Sequence, residues 1–337
     1  MRQIWIPRYG GPEVLEVREA EDPVPGPGEV RIRVEAAGVN FADCMARLGK
    51  YPDAPKGPLV VGYEVAGRID AVGDGVSAHR IGEDVLSGTQ FGGYSDTVIV
   101  DQVQAVKRPE GLDAVTAASI PVTGLTAWMM LMEMGRVREG DRVLVHSAGG
   151  GVGLAALDIL KWKGAIAVGT ASGHKHEALL ERGYDQLIDY RTVDFAQALA
   201  DGPKFDLVLD PIGGKSWSKG LSLLRTGGKL ICFGFSAGSP TATSGKLPMI
   251  GAALSVPWMK FNPLSLMNEN VGTMGVNMGH MWEERERLAG WLHQLLELWS
   301  QGILRPVVHA TVPFDNAKEA HRILHDRENI GKVILTP

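Results

Sequence analysis

The run Arg142 to His146 (RVLVH) leads directly into Ser147-Ala148-Gly149-Gly150-Gly151-Val152-Gly153, and a small-residue segment of helix length, LAALDILKWKG, follows. Glycines in this order let the backbone approach a pyrophosphate, while the helix N-terminus offers N–H groups and the positive end of its dipole. The strict GxGxxG spacing has Ala148 in first place, followed by Gly150 and Gly153, so the reading rests on strand, loop, helix and next strand falling in register. A glycine-rich turn without a ligand is the alternative. The next run, Ala165 to Thr170, ends in Thr170-Ala171-Ser172-Gly173-His174-Lys175, where an NAD enzyme places an acid against the ribose 2′-hydroxyl. No acid occurs from Ala165 to Lys175. Ser172 and Lys175, with Tyr190 after the third strand, suit a 2′-phosphate, so NADPH is the expected cofactor; the other reading of Lys175 is an ordinary solvated lysine.

A second arrangement competes for a chemical role. Gly234-Phe235-Ser236-Ala237-Gly238 follows the run KLICF and spells GxSxG, with Asp315 and His321 downstream in hydrolase order. A nucleophile elbow needs a helix directly after its serine. Ser239-Pro240-Thr241-Ala242-Thr243-Ser244-Gly245 cannot start one at once, which makes a serine hydrolase the least favoured reading.

The elements that position these loops are legible from texture. Met1 to about Pro121 consists of short alternating runs cut by Gly and Pro, such as Val30, Ile32 and Val34 after PVPGPGE, which predicts a β-rich region. From about Val122 the helix-like GLTAWMMLMEMG introduces apolar runs VLVH, AIAVGT, QLIDY, LVLD and KLICFG. These alternate with helix-length segments, the spacing of βαβ units on a buried parallel sheet. After Gly279 come an amphipathic helix at about Glu283 to Gln301, the runs VVHATVPF and KVILTP, and a helix from Asn316 to His325. The final strands are expected to rejoin the first region, giving domains of 1–122 with 280–337, and 123–279.

The 337 residues are 45% hydrophobic and 22% charged, which supports a sizeable folded core and excludes a disordered chain. A formal net charge of −5 leaves no basic face for a phosphate backbone, so nucleic acid is excluded as a partner. Two cysteines, Cys44 and Cys232, are too few for a disulfide framework or a four-cysteine zinc site and suit a reducing compartment. MRQIWIPRYGG lacks the apolar core of a signal peptide. The longest apolar stretch, Leu247 to Met267, is broken by Pro248, Pro257, Lys260 and Pro263, so stable membrane insertion is not expected and a cytoplasmic location is.

The segments PVPGPGEV, GVNFAD, GGYSD, LTAW, VHSAGGGVG, FDLVLDPIGG, GGKLICFG, NPLSLMNENV and GKVIL, in this order, resemble the zinc-independent quinone oxidoreductase branch of the medium-chain dehydrogenase/reductase superfamily. Within that branch, VNFADCMARLGKYP, VHSAGGGVG and TASGHKHEAL look most like the vesicle amine transport protein relatives. The resemblance implies an α/β protein with a GroES-like β-rich catalytic domain, a Rossmann doubly wound parallel-sheet cofactor domain, a cleft between them and commonly a homodimer. It puts Asn40, Asp43 and Tyr51 at the catalytic cleft, Asn40 near the nicotinamide and Thr126 on its carboxamide side. Gly150, Gly151 and Val152 match the pyrophosphate loop; Ser172, Lys175 and Tyr190 match the adenosine-phosphate end. Phe233, Phe235 and Ser236 match the loop crossing the nicotinamide ribose, and Lys332 stands where the family often has a basic residue near the phosphates. The plainer readings are Asp43 as a turn or helix cap, Thr126 as a helix residue and Tyr63 as a core aromatic.

The chain departs from the zinc alcohol dehydrogenases that the resemblance brings with it. Asn40 stands at a ligand cysteine position and Tyr63 at a ligand histidine position, and the structural-zinc cysteines are absent, so no metal is expected. Met45 replaces a second tyrosine that related quinone reductases carry, which leaves Tyr51 or solvent to deliver a proton. The expected function is hydride transfer from NADPH to a small quinone or an α,β-unsaturated carbonyl, acceptors that need no Lewis acid. A non-enzymatic lipid- or partner-binding protein on the same fold is the alternative, suggested by AALSVPWMKFNPLSLM. The segment Val271 to Asn277 has the length of a sheet-edge strand, and an unpaired edge predicts a homodimer.

Overall fold

Along the strand Glu29–Val39, Val30, Ile32, Val34 and Ala36 are buried while Arg33 and Glu35 face solvent, the two-residue period of a half-buried sheet. From Ala36 to Val39 every residue is buried, because both faces of the strand are then covered. The computed structural model describes residues 1–236 and 262–337, which divide into one unit of Met1–Leu125 with Met278–Pro337 and a second of Thr126–Asn277.

In the first unit the strands are β1 (Arg2–Ile6), β2 (Glu16–Glu19), β3 (Glu29–Val39), β4 (Leu59–Val60), β5 (Glu64–Val72), β6 (Asp84–Gly88), β7 (Thr97–Asp101) and β8 (Val106–Lys107). The second unit supplies β9 (Arg142–His146), β10 (Ile166–Ala171), β11 (Gln186–Asp189), β12 (Phe205–Asp210), β13 (Leu224–Cys232) and β14 (Gly272–Gly275). The chain then returns to the first unit with β15 (Val308–Pro313) and β16 (Lys332–Thr336).

A seven-stranded sheet in the order β15-β16-β3-β5-β6-β8, with β7 also on β3, dominates the first unit, beside a small sheet β2-β1-β4. The late strand β16 runs antiparallel to β3 with Val333 opposite Val39 and Ile334 opposite Gly38. Ile32, Val65, Ile69, Val85, Phe314 and Leu335 share its core, so the last thirty or so residues complete a sheet begun near the N-terminus. The helix Phe41–Arg47 leaves the end of β3, and the helix Ala317–His325 packs on it.

The second unit holds six strands in the order β11-β10-β9-β12-β13-β14, and every adjacent pair is parallel. This is the doubly wound order, whose direction of winding reverses between β9 and β12. Its strands are buried on both faces, as in Val143, Leu144 and Val145 of β9, which explains their continuous apolar runs. One helical stretch among the described residues, Ala114–Gly135, is long and apolar enough to cross a membrane, and 72% of its most apolar part is buried inside the protein.

Candidate active site and nucleotide-binding loops

The end of β3 builds the first group. Asn40 caps the Phe41–Arg47 helix, and its backbone N–H donates to Asp43 Oδ2 at 2.7 Å, half of a capping box. The Asn40 side chain is held at both ends: Nδ2 donates to Glu64 Oε1 at 2.9 Å, and Oδ1 accepts from Lys332 Nζ at 2.7 Å. Lys332 also donates to Glu64 Oε1 at 2.6 Å and to the Val39 carbonyl at 2.7 Å, while Glu64 Oε2 accepts the Val122 N–H at 2.7 Å. Glu64 and Lys332 are both buried, so their desolvation is offset only because each polar atom is matched by a partner.

Lys332 therefore requires correction. Its three ammonium protons meet three acceptors inside the first unit, and none is left for the cofactor phosphates expected from the sequence. The lysine orients the Asn40 amide instead. Asp43 is fully buried and does not line an open surface; it is the helix cap that the sequence offered as its plainer reading. Burial pushes its carboxyl up to about 7, against the lowering pull of the Asn40 N–H, the Lys332 charge, the Gly62 N–H and the Tyr94 hydroxyl.

Tyr51 is half-buried, and its ring meets Tyr63 edge-on at 6.1 Å between centroids. Tyr63 in turn packs on Phe91 at 5.1 Å and is 6% exposed, an aromatic filling rather than a ligand position. Burial, then the charges of Asp53 and Asp43, raise the Tyr51 phenol above its ordinary value. It stays protonated at neutral pH as a donor, but a weaker acid than the unperturbed tyrosine assumed from sequence.

In the second unit, β9 ends at His146 and the chain turns through Ser147 at φ 56°, a left-handed conformation that few serines adopt, into the helix Gly151–Trp162. A Cβ on Gly153 would stand 2.6 Å from the Ala148 carbonyl, so glycine is required for that helix to sit so close to the turn. Gly150 is the cap, and the first-turn N–H groups of Gly151 and Val152 have no acceptor within their own helix. At the end of β10, Ser172 Oγ donates to the Tyr190 hydroxyl at 3.1 Å, and the stem of buried Lys175 packs on Gly149. The structure thus gathers Ser172, Lys175 and Tyr190 around the loop, together with Asp189, whose carboxylate lies against Gly173 and accepts the Arg191 N–H at 2.9 Å. Asp189 arrives from β11 and not from the end of β10, where the dinucleotide pattern places its acid, so the sequence pattern alone does not mark it.

The strand ends at the winding reversal carry further polar groups. His146 Nδ1 lies 2.9 Å from Thr170 Oγ1 and its Nε2 4.0 Å from Asp210 Oδ2. Burial holds this imidazole down at about 4 despite the Asp210 charge, so it is neutral. Asp210 Oδ1 accepts the Ile212 and Gly213 N–H groups at 2.6 and 3.0 Å, fixing the turn on which Phe235 packs. Phe233 N–H donates to the Asp210 carbonyl and Ser236 N–H to the Pro211 carbonyl, so both belong to that same loop cluster. Thr126 is buried near the end of the helix Pro121–Trp128.

The hydrolase arrangement is not assembled. His321 is fully buried with Nε2 at 3.1 Å from the Tyr94 hydroxyl and Nδ1 at 3.6 Å from Cys44 Sγ, while Asp315 pairs with Arg2 at 2.6 Å. Ala237, Gly238 and the segment after them lie outside the described residues, as does the apolar stretch 247–261. Among the described residues no cluster of three or more His, Cys, Asp or Glu side chains could hold a metal ion.

Residues 26–110 match the alcohol dehydrogenase GroES-like domain, and residues 182–335 match the zinc-binding dehydrogenase domain. A β-rich unit split in sequence and a second unit with a doubly wound sheet and a glycine loop after its first strand define the class, and the chain belongs to the medium-chain dehydrogenase/reductase superfamily. The human synaptic vesicle membrane protein VAT-1 homolog is 36% identical to it over 344 residues, covering 100% of this chain and 86% of that protein. A quinone oxidoreductase of Pseudomonas aeruginosa is 32% identical over 341 residues, covering 100% of this chain and 99% of the other. The solved Escherichia coli quinone oxidoreductase complexed with NADPH has a TM-score of 0.87 at 29% identity, with both chains covered at 100%. The human VAT-1 homolog-like protein has a TM-score of 0.86 at 32% identity, covering 100% of this chain and 98% of that one. Within the superfamily the chain stands close to the VAT-1 homologues and the quinone oxidoreductases.

Proposed function

We propose that this chain is an NADPH-dependent, zinc-independent oxidoreductase of quinones or α,β-unsaturated carbonyls, cytoplasmic and homodimeric. The observation that carries the reading is the second unit's loop cluster: a Gly153-packed turn, first-turn N–H groups with no acceptor in their own helix, and Ser172, Lys175 and Tyr190 drawn together. Those residues fit a phosphorylated dinucleotide, with Gly150, Gly151 and Val152 at the pyrophosphate and the Ser172–Tyr190 pair with Lys175 at the 2′-phosphate. The NADPH complex of the similar Escherichia coli enzyme supports that choice.

Bound NADPH would supply the hydride, and the protein supplies position and a proton. A conjugated acceptor spreads the negative charge it gains, so it needs a hydrogen-bond donor rather than a metal. Asn40, whose amide is locked by Glu64 and Lys332, keeps one Nδ2 proton for that oxygen, and the Tyr51 hydroxyl, from further along the chain after the Phe41–Arg47 helix, is the side-chain proton donor in this reading. Zinc independence is supported by the same residues, since the Asn40 amide is committed to Glu64 and Lys332 and the Tyr63 ring to Tyr51 and Phe91.

The test is an NADPH-oxidation assay on purified protein with 1,4-naphthoquinone and with 1-octen-3-one, with and without a chelator. Turnover that prefers NADPH to NADH and survives chelation is expected, and Tyr51→Phe should lower enone turnover about tenfold or more. NADPH binding without turnover of either acceptor would replace the reductase with the non-enzymatic reading.

A further inference from the structure

Behind Asn40, a chain of four buried side chains leads away from the site. Asp43 Oδ2 accepts from the Asn40 N–H at 2.7 Å and from the Tyr94 hydroxyl at 3.1 Å, while Oδ1 accepts from the Gly62 N–H at 3.0 Å. The Tyr94 oxygen lies 3.1 Å from His321 Nε2, and His321 Nδ1 lies 3.6 Å from Cys44 Sγ. All four side chains are fully buried, and they come from the Phe41–Arg47 helix, the turn before β7 and the Ala317–His325 helix. One carboxylate therefore joins two separate turns, the one that presents Asn40 and the one that leads through Gly62 into Tyr63 and Glu64. Gly62 is held at φ +105°, and a Cβ there would stand 2.6 Å from the Tyr94 backbone nitrogen, so this turn has little room to shift.

We propose that Asp43 is the positioning residue of the acceptor site, clamping the Asn40 turn to the Gly62 turn, and that the Tyr94–His321–Cys44 chain sets how firmly it holds. This rests on the reductase reading above, and it gives work to three residues that the reaction itself does not touch.

The chemistry of the clamp follows from counting donors. An ionised Asp43 can accept all three protons, from Asn40, Gly62 and Tyr94. Tyr94 then takes the proton of His321 Nε2, leaving Nδ1 to accept from the Cys44 thiol; this direction is assigned from the partners. A protonated Asp43 is itself a donor, and of its three hydrogen-bond partners among the described residues the Tyr94 oxygen is the one able to accept that proton. Tyr94 must then turn its own proton to His321, and the hold on the Asn40 and Gly62 amides weakens because a neutral carboxyl is a poorer acceptor than a carboxylate.

The charges around Asp43 come from every element packed on it. Lys332 on β16 favours its ionised form. Arg47 lies on the same helix, fully buried, with Nη2 at 3.2 Å from His325 Nδ1. Glu64 on β5 is spent on Lys332, Asn40 and Val122. Burial together with Arg47 and His325 keeps His321 well below its ordinary range, so it stays neutral, and burial pushes the Cys44 thiol up to about 12. Tyr51, Tyr63 and Tyr94 are raised and stay protonated. Asp43 is thus the member of this set that changes charge near neutral pH, at about 7.

The experiment follows backbone amide signals of 15N-labelled protein across neutral pH, beside kcat/KM for NADPH with 1,4-naphthoquinone. In the wild type the Asn40 and Gly62 signals should move together with one midpoint near 7, and kcat/KM should fall on its acid side. Tyr94→Phe removes a donor that favours the ionised form, so both midpoints should rise by about half a pH unit or more. Asp43→Asn should abolish the titration of both amides; if that variant does not fold, Tyr94→Phe alone carries the test. Amides that titrate separately, that do not titrate, or whose midpoint ignores Tyr94→Phe overturn the clamp. The amide signals read it without turnover, so an inactive wild type would count against the reductase reading and not against the clamp.

Discussion

Asp43 ties stability to pH in a direction opposite to most carboxylates. Its folded value of about 7 stands above the ordinary 3.8, so between the two the native state holds a proton that the unfolded chain has released. Stability then falls as pH rises: the contribution is fully present below the unfolded value and is lost on passing the folded one, with an upper limit of about 4 kcal/mol. Denaturant melts of wild type and Asp43→Asn from about pH 5 to 8 should diverge, the wild type losing stability on that path and the variant staying flatter. Parallel curves would show that another group titrates. Glu64 and Lys332 show what escapes a reading of sequence at this scale. They meet 268 positions apart, and a lone lysine near the C-terminus carries no local sign of whether it faces a phosphate or a carboxylate. His321 is the mirror case, since its place after Ser236 and Asp315 fits hydrolase order while its ring lies between Tyr94 and Cys44.

At the scale of elements, local patterns were the legible ones. Ser147 to Gly153 announces itself because strand, turn and helix are contiguous, and the packing that requires Gly153 involves Ala148 only five positions earlier. Strand texture led to the expectation that the final strands rejoin the first region, whereas neither β3 as the neighbour of β16 nor the register that sets Val333 against Val39 was legible, since nothing local specifies a partner so distant. The corner made by Ser172, Lys175 and Tyr190 leads to a prediction about cofactor choice. Lys175→Ala should weaken NADPH binding by about 1.5–3 kcal/mol, the worth of a hydrogen bond between charged groups, with little effect on NADH. Equal losses for both cofactors, measured by titration calorimetry, would refute a 2′-phosphate site there. Asp189 belongs to the same corner, and its carboxylate meets Gly173 from a neighbouring strand, a contact that no local sequence pattern encodes.

For the whole molecule, β14 is the outermost strand of the six-stranded sheet and pairs only with β13 in the described chain, which leaves one edge of backbone N–H and C=O groups available to a second copy. Light scattering at micromolar concentration should give twice the mass of the chain, and a monomer there would reject pairing through this edge. The split of the first unit has a different consequence, one that concerns birth rather than function. Thr126–Asn277 is contiguous and its sheet needs no later residue, so it can close while the ribosome is still at work. The sheet around β3 must wait for β16, and the Asn40 amide waits for an ammonium group 292 positions downstream. Through most of synthesis the strand that leads into Asn40 therefore has an unfilled neighbour position, and the buried setting of the Asn40 amide is among the last parts of the protein to come into existence.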